Sequence, residues 1–456
     1  MKHIVIIGNG IAGVTAARHL RKLGDDKITI ISAETKYFFS RTALMYIYMG
    51  HMTLQDTQPY ENWFWEKNRI DLIQDKVESV DYSEKKLLLA SKTEVSYDSL
   101  ILATGAKPNM FGWKGQDLDG AQGLYSYQNL QYIEERSHLI KRAVIVGGGL
   151  IGIELAEMFL SRNIKVTFLV REKSFWNKIL PNEESAMINR HIFEHHIDLR
   201  LGAELEEIIG DDSGKVKAIK IKDGEVLDCE FVGLTAGVSP NIDFLKDSDL
   251  NLGRGIKIDQ TFKTNMPDVY AIGDCAEFEV PLEGRLPIEQ VWYTGKMHGE
   301  TVAHVIQGEE KTYKPGTWFN SAKFLDIEYQ TYGMVLGQLF DGQETFYWEA
   351  PNGKISVRIN FSKETMAVEG FNFMGLRARH EVCVPWIENK ITLKEVIENF
   401  GAANFDPEFY KKYEAVIVQQ YNEEYPNDRV ELKTKKGLFS NYIQKFKRFS
   451  LTERSS

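Results

Sequence analysis

The sequence predicts an α/β protein with two doubly wound units, each built on a parallel sheet, and a smaller α+β domain after them. Three observations carry this expectation. A strand–glycine–helix pattern occurs twice, as IVIIGNGIAGVTAAR at residues 4–18 and AVIVGGGLIGIELAE at residues 143–157. Each copy leads to a second apolar strand, Ile28–Ile31 and Val166–Val170, as a βαβ unit requires. Residues 319–375 then alternate apolar and polar side chains, with turn signals at Gly333 and Pro351-Asn352-Gly353, which suits an antiparallel sheet.

The two copies share one physical logic. Each is a β-branched run, then G-x-G-x-x-G, then small and apolar residues at helical spacing. The first glycine allows a tight strand-to-helix turn, and the second lets backbone approach a pyrophosphate. The third lets the helix lie close to its strand, and the helix N-terminus offers free N–H groups to an anion. After the first unit's second strand comes Glu34, where a carboxylate bonds a ribose diol. The echo extends further. Residues 100–109 (LILATGAKPN) and 232–241 (VGLTAGVSPN) are both apolar strands that end in small residues and a Pro-Asn turn. Residues 268–276 (DVYAIGDCA) read as a buried strand delivering Gly273 and Asp274 to a ligand.

Composition narrows the alternatives. Of 456 residues, 43% are apolar and 26% charged, a globular balance. No apolar run approaches the ~20 residues that cross a bilayer, and Met1-Lys2-His3 leads into a run too short for a signal peptide. A cytoplasmic location is expected. The three cysteines, Cys229, Cys275 and Cys383, lie too far apart for a disulfide framework or a Cys₄ metal centre, and all three read as core residues. A net charge of −10 argues against nucleic acid as a partner. No metal site is expected either. His191 and His195 share a helical face, but Glu194 is off it, and the group reads as surface histidines on an outer helix. His380 and Cys383 likewise read as no metal site.

In the set and order of these motifs, residues 1–340 resemble the FAD/NAD(P)-dependent pyridine nucleotide oxidoreductases. These flavoproteins carry two Rossmann-like dinucleotide-binding domains. They include disulfide reductases, ferredoxin and rubredoxin reductases, and the flavin module of NAD(P)H nitrite reductase. The resemblance implies FAD on the first unit and NAD(P)H on the second, with hydride passing from nicotinamide to flavin. It gives the ADP half of FAD to Gly8, Gly10, Gly13 and Glu34, and the ribityl–phosphate chain to Asp274. It gives NAD(P)H to Gly147, Gly149 and Gly152, and places Glu154 by the nicotinamide as the catalytic residue. Ile11, Ala12, Val77, Ala103, Thr104, Gly105, Gly273 and Gly237 are counted among the cofactor-binding residues on the same basis. The implied domains are 1–111 with 242–318 for FAD, 112–241 for NAD(P)H, 319–425 for the C-terminal α+β domain, and 426–456 for a linker and tail.

The sequence also departs from relatives of that kind. Disulfide reductases carry a C-x₄-C pair, and NADH oxidases one cysteine after the second strand. Here Tyr37–Leu44 holds no cysteine, so electrons must leave the flavin directly. Arg41 resembles an arginine of the nitrite- and rubredoxin-reductase branches, near the FAD pyrophosphate. After Val170, Arg171 suits a 2′-phosphate and Glu172 opposes one, which leaves NADH and NADPH both open. Residues 281–300 fall where the resemblance brings a helix start against the flavin. Glu289, Gln290 and Trp292 are the lining candidates, with Trp292 equally readable as core.

Segments 392–400 and 407–421 have helical patterns, and Tyr421–Glu431 reads as a linker. From Lys433 to Ser456 there are seven bases and one acid, a net of +6, which leaves −16 for the rest. Leu438, Phe439, Tyr442, Ile443 and Phe446 fall on one helical face. Such a basic amphipathic tail could pack on its own body, dock an acidic protein or touch an anionic membrane. The leading expectation is electron transfer from NAD(P)H through FAD to a ferredoxin or rubredoxin. One alternative is a peripheral-membrane NADH:quinone oxidoreductase. Another, of a different class, resembles apoptosis-inducing factor, with NADH controlling a protein interface.

Overall fold

A computed structural model describes residues 1–405 and 411–433. It divides into two compact units, Met1–Gly316 with Lys323–Leu325, and Thr317–Ala322 with the chain from Asp326 onward.

The first unit contains, in chain order, β1 (His3–Ile7), α1 (Ile11–Leu23), β2 (Lys27–Ser32), β3 (Ile70–Gln74), β4 (Ser99–Leu102) and β5 (Ala121–Gln122). It continues with β6 (Arg142–Val146), α2 (Leu150–Ser161), β7 (Lys165–Val170), α3 (Asn182–Glu194), β8 (Asp198–Leu201), β9 (Phe231–Leu234), β10 (Val269–Ala271) and α4 (Trp292–Ile306). Two parallel sheets result, ordered β10-β4-β1-β2-β3 and β8-β7-β6-β9-β5. In both, the strand before the glycines is central, with the next strand on one side and the closing strand on the other. Both faces of a central parallel strand are covered, so β1 and β6 are near-continuous β-branched runs, and Val5, Ile6, Val144 and Ile145 are buried. Between third and closing strands each half inserts a three-stranded antiparallel meander, at residues 77–96 and 205–228. No sequence motif announces that second echo.

The first glycines are sterically required. Gly8 has φ +112, and a Cβ there would lie 2.1 Å from the Ala103 carbonyl oxygen. A Cβ on Gly13 would lie 2.1 Å from the Gly8 oxygen, which is how closely α1 crosses its own strand. Gly147 and Gly152 repeat both constraints on the second sheet.

The second unit has a five-stranded antiparallel sheet, β11 (Phe319–Phe324), β12 (Ile327–Gly333), β13 (Gln343–Glu349), β14 (Ser356–Ser362) and β15 (Val368–Met374), in the order β11-β12-β15-β14-β13. Helices α5 (His380–Glu388), α6 (Leu393–Glu398) and α7 (Glu414–Glu424) belong to the same unit, and Phe346, Val357, Phe371, Val396, Ile417 and Tyr421 share its core. Two expectations are corrected here. In the later helical segment, residues 411–413 are not helical, the helix runs Glu414–Glu424, and 407–410 lie outside the described residues. The stretch read as a linker folds back: Tyr421 and Val430 are buried, and the Asn422 side chain accepts the Val430 N–H at 2.7 Å. Burial of those two apolar residues outweighs the turn signal at Pro426-Asn427. The tail from 434 onward lies outside the described residues, as do residues 406–410. Among the described residues, no helix is long and apolar enough to cross a membrane.

Candidate functional site

A cavity of about 880 Å³ opens at the carboxyl ends of the first parallel sheet, the crevice where open α/β sheets take their ligands. Its volume is in the range of dinucleotide and drug-sized sites. The β1–α1 turn supplies Gly8, Gly10, Ile11 and Ala12 to its wall, and the chain after β2 supplies Glu34 and Arg41. Val77, Ala103, Thr104, Gly105, Gly273 and Asp274 complete the side built on the first sheet. Gly13 is not on the wall. It lies beneath it and lets α1 pass close to Gly8.

The turn fits a phosphate group on two counts. Gly10, the N-cap of α1, offers no side-chain cap to the helix, and the first turn holds no acid. The positive end of the helix dipole therefore faces the cavity without internal compensation. A Cβ added at Gly10 would meet nothing within 4 Å, so the missing side chain leaves room for a ligand.

The polar end of the cavity holds a network that its members' sequence positions do not suggest. Arg41 forks onto Glu34, with Nη1–Oε1 2.9 Å and Nη2–Oε2 2.5 Å. Its Nη1 also donates to the Tyr125 carbonyl at 2.5 Å, and the guanidinium lies 4.5 Å from the Tyr125 ring centroid. The Glu34 carboxylate further accepts the Tyr127 N–H at 2.7 Å. Glu34 and Arg41, expected at a ribose and a pyrophosphate separately, are thus partners of one another. Two opposite charges brought to one partly buried corner pair before either meets solvent. The Asp274 carboxyl is pushed up to about 6 by burial, against the opposing pull of Arg41 and of a hydrogen bond with Tyr125. Tyr125, Tyr127 and Gln128 carry no motif. They reach the site because a capping box, Ser126 with Asn129, starts the helix Tyr127–Arg136 beside it.

From the second motif only one helix face reaches this cavity, through Leu150, Ile151 and Glu154 of α2. Burial first, and the charge of Glu157 second, push the Glu154 carboxyl up to about 7. Gly147, Gly149, Gly152 and Gly237 lie at the end of the second sheet instead, and Gly149, like Gly10, has open space where a Cβ would go. The two echoed Pro-Asn segments pair antiparallel with each other, Lys107 opposite Ser239, which leaves Gly237 at φ +93 accepting the Asn109 N–H. Arg171 is exposed and bonded to Glu172 at 3.0 Å, so the two side chains that pull the nucleotide choice in opposite directions neutralise one another.

Gln290 and Trp292 line the cavity, and Trp292 is the first residue of α4. Glu289 faces the other way, into a buried cluster with Tyr313 and Arg285. All three cysteines are buried and none lines the cavity. Burial raises each thiol above its ordinary range, Cys229 to about 12. One reading of the histidines is corrected: His191 is not on the surface but 1% exposed, with its Nδ1 3.4 Å from Glu194. It sits on the buried face of α3, whose apolar Met187, Ile188 and Ile192 carry it inward.

Residues 2–302 match the family model described as pyridine nucleotide-disulphide oxidoreductase. An NADH oxidase of Methanocaldococcus jannaschii is 29% identical over 337 residues, covering 71% of this chain and 74% of its own. The ferredoxin reductase subunit of a 5,5'-dehydrodivanillate O-demethylase from a Sphingobium species is 29% identical over 342 residues, covering 73% and 81%. Among solved structures, a ferredoxin reductase of Rhodopseudomonas palustris superposes with a TM-score of 0.75 at 24% identity, covering 82% of this chain and 91% of that one.

Proposed function

The chain belongs to the pyridine nucleotide-disulphide oxidoreductase family, and on that premise we propose that it passes electrons from NADH or NADPH through FAD to a small external protein of the ferredoxin or rubredoxin type. It is an NAD(P)H oxidoreductase, with FAD and NAD(P)H as its cofactors. The observation that carries the external acceptor is chemical. No cysteine lines the cavity, so no thiol stands beside the flavin to take its electrons. The ferredoxin reductase subunit among the relatives supports the class of acceptor.

Bound FAD supplies an acceptor for hydride that can give up its two electrons singly. In this reading the uncapped start of α1, with Gly8, Gly10, Ile11 and Ala12, receives the pyrophosphate, and Gly13 allows the close helix crossing. Glu34 and Arg41, already paired, form the polar end of the site. Val77, Ala103, Thr104, Gly105 and Gly273 shape its wall, Asp274 holds the ribityl–phosphate chain, and Gln290 and Trp292 line the ring. Gly147, Gly149, Gly152, Gly237 and Arg171 take NAD(P)H, and Glu154 sits by the nicotinamide. The same reading divides the chain into an FAD domain (1–111 and 242–318), an NAD(P)H domain (112–241) and a C-terminal domain (319–425) onto which Val430 packs back, with a tail after it, and places it in the cytoplasm.

Asp274→Ala removes one hydrogen-bonding carboxyl from the site and is expected to weaken FAD binding about tenfold, the cost of one such bond. Titration of apoprotein with FAD by flavin fluorescence measures it. The acceptor is tested with FAD-loaded protein oxidising NADH and NADPH against a ferredoxin, menaquinone in anionic liposomes, and ferricyanide. Ferredoxin reduction that ignores lipid is the expected result. Quinone turnover that disappears when residues 434–456 are removed would replace this reading with a peripheral quinone reductase. Slow turnover with every acceptor, and long-wavelength absorbance that persists after NADH, would replace it with an NADH-controlled interaction protein.

A further inference from the structure

The Gly273-Asp274 turn rests on a buried polar cluster that the cavity does not include. Gly273 is buried at φ +71, and its backbone N–H donates to Nδ1 of His298 at 3.1 Å. His298 lies on α4, 1% exposed, with its ring boxed by Phe262 at 4.7 Å, Phe278 at 5.7 Å and Tyr313 at 4.6 Å between centroids. Its other nitrogen, Nε2, stands 3.6 Å from Oε2 of Glu289, a carboxylate whose side chain is 1% exposed. Tyr313 donates its hydroxyl to the same oxygen at 2.7 Å, and the Arg285 Nε faces Oε1 at 3.0 Å. The helix carrying His298 lies close against α1, since a Cβ on Gly299 would stand 2.4 Å from the Ala12 oxygen.

These contacts determine the state of the imidazole. A backbone N–H can only donate, so Nδ1 must be the unprotonated acceptor, and the proton of the neutral ring belongs on Nε2, toward Glu289. The Arg285 guanidinium balances the carboxylate, which removes the need for a second proton on the ring. A doubly protonated His298 would set an N–H against the Gly273 N–H inside a buried aromatic box, so burial and the backbone donor both hold it neutral.

We propose that His298 is a positioning residue for the flavin site: its Nδ1 holds the Gly273 N–H and thereby fixes the carboxyl of Asp274 in the cavity, while the carboxylate of Glu289 stands on the far side of the ring. The inference rests on the FAD reading above, in which Asp274 contacts the cofactor. It assigns Glu289 a place behind the site rather than on its wall.

Two amide substitutions separate the two ends of the ring. His298→Asn places an amide oxygen two bonds from Cβ, where Nδ1 stands, and keeps an acceptor for Gly273 while losing the reach to Glu289. His298→Gln places its amide three bonds out, beside Glu289, and leaves the Gly273 N–H without its acceptor. FAD affinity of the full chain, read by flavin fluorescence, should fall at least about tenfold in H298Q and stay within about threefold of wild type in H298N. The visible circular dichroism of bound flavin should change in H298Q alone. Equal FAD affinity and equal spectra in the two variants would overturn the proposal, since a purely structural histidine predicts no such ordering. Should H298Q not fold, nitrogen-15 shifts of His298 in the wild-type holoprotein decide the matter. An unprotonated Nδ1 is expected, and a protonated Nδ1 overturns the proposal. Wild-type protein that binds no FAD would instead sink the proposed function itself.

Discussion

Apoprotein carrying Gly10→Val is expected to fold as wild type does and to bind FAD at least about 100-fold more weakly, roughly 2.7 kcal/mol. The two halves of that statement have separate causes. Gly10 sits at φ −71, an ordinary extended conformation, and nothing lies within 4 Å of the place a Cβ would take. The apoprotein therefore accommodates valine, with a change within about 1 kcal/mol from the weaker N-cap and the stiffer unfolded chain. The open space, however, is the cradle in front of the helix N-terminus. Methyl groups there keep a pyrophosphate from the backbone N–H groups and from the helix dipole. Gly8→Val is the contrast. Its Cβ would overlap the Ala103 oxygen at a backbone angle valine avoids, so loss of soluble protein is expected rather than loss of FAD alone. Thermal melts of apoprotein beside FAD titrations distinguish the two. A Gly10→Val protein that binds FAD normally would place the pyrophosphate elsewhere.

Glu154→Gln should change both the pH dependence of stability and the rate of hydride donation. The folded carboxyl titrates near 7 and the unfolded one near 4.5, so the folded state holds the extra proton between those values. Stability attributable to Glu154 is greatest below about pH 4.5, falls as pH rises to 7, and is flat above it. The decline is on the order of 1–3 kcal/mol, reduced from its limit because the side chain faces the cavity. Urea midpoints of apoprotein across that window should fall for wild type relative to E154Q. The catalytic effect has the opposite sense. With Glu154 by the nicotinamide as proposed, its carboxylate favours the positive charge a dihydronicotinamide acquires on giving up hydride, so flavin reduction should quicken as pH rises through 7. Stopped-flow reduction of E154Q should be about tenfold slower above pH 7, with no such rise. Parallel pH profiles in the two proteins would remove Glu154 from the chemistry.

Much of the fold was legible because its signals are local. Gly13 announces a strand-to-helix turn through its close approach to Gly8 within one βαβ unit, Gly8 announces it through its φ of +112, and the β-branched runs of β1 and β6 announce buried parallel strands. The alternation over 319–375 announced the antiparallel sheet of the second unit. Tyr421–Glu431 looks like a linker in sequence because turn residues are visible there, whereas the partner for Val430 is not. The burial of His191 is not legible for the same reason: a polar residue on an apolar helix face is carried inward by its neighbours.

The sequence by itself determined the two glycine turns, the parallel strands they join and the absence of a thiol after the second strand. The positive φ at Gly8 and Gly147 and the close crossings of Gly13 on Gly8 and Gly152 on Gly147 are local steric limits that favour glycine. Only the tertiary structure decided which side chains meet. Arg41 reaches the Tyr125 carbonyl across 84 residues, Tyr127 reaches Glu34 across 93, and Gly273 finds His298 on a helix 25 residues later. Partners of that kind are chosen by which loops converge at the end of a sheet. Burial then makes each polar group take whichever complement the fold has brought within reach.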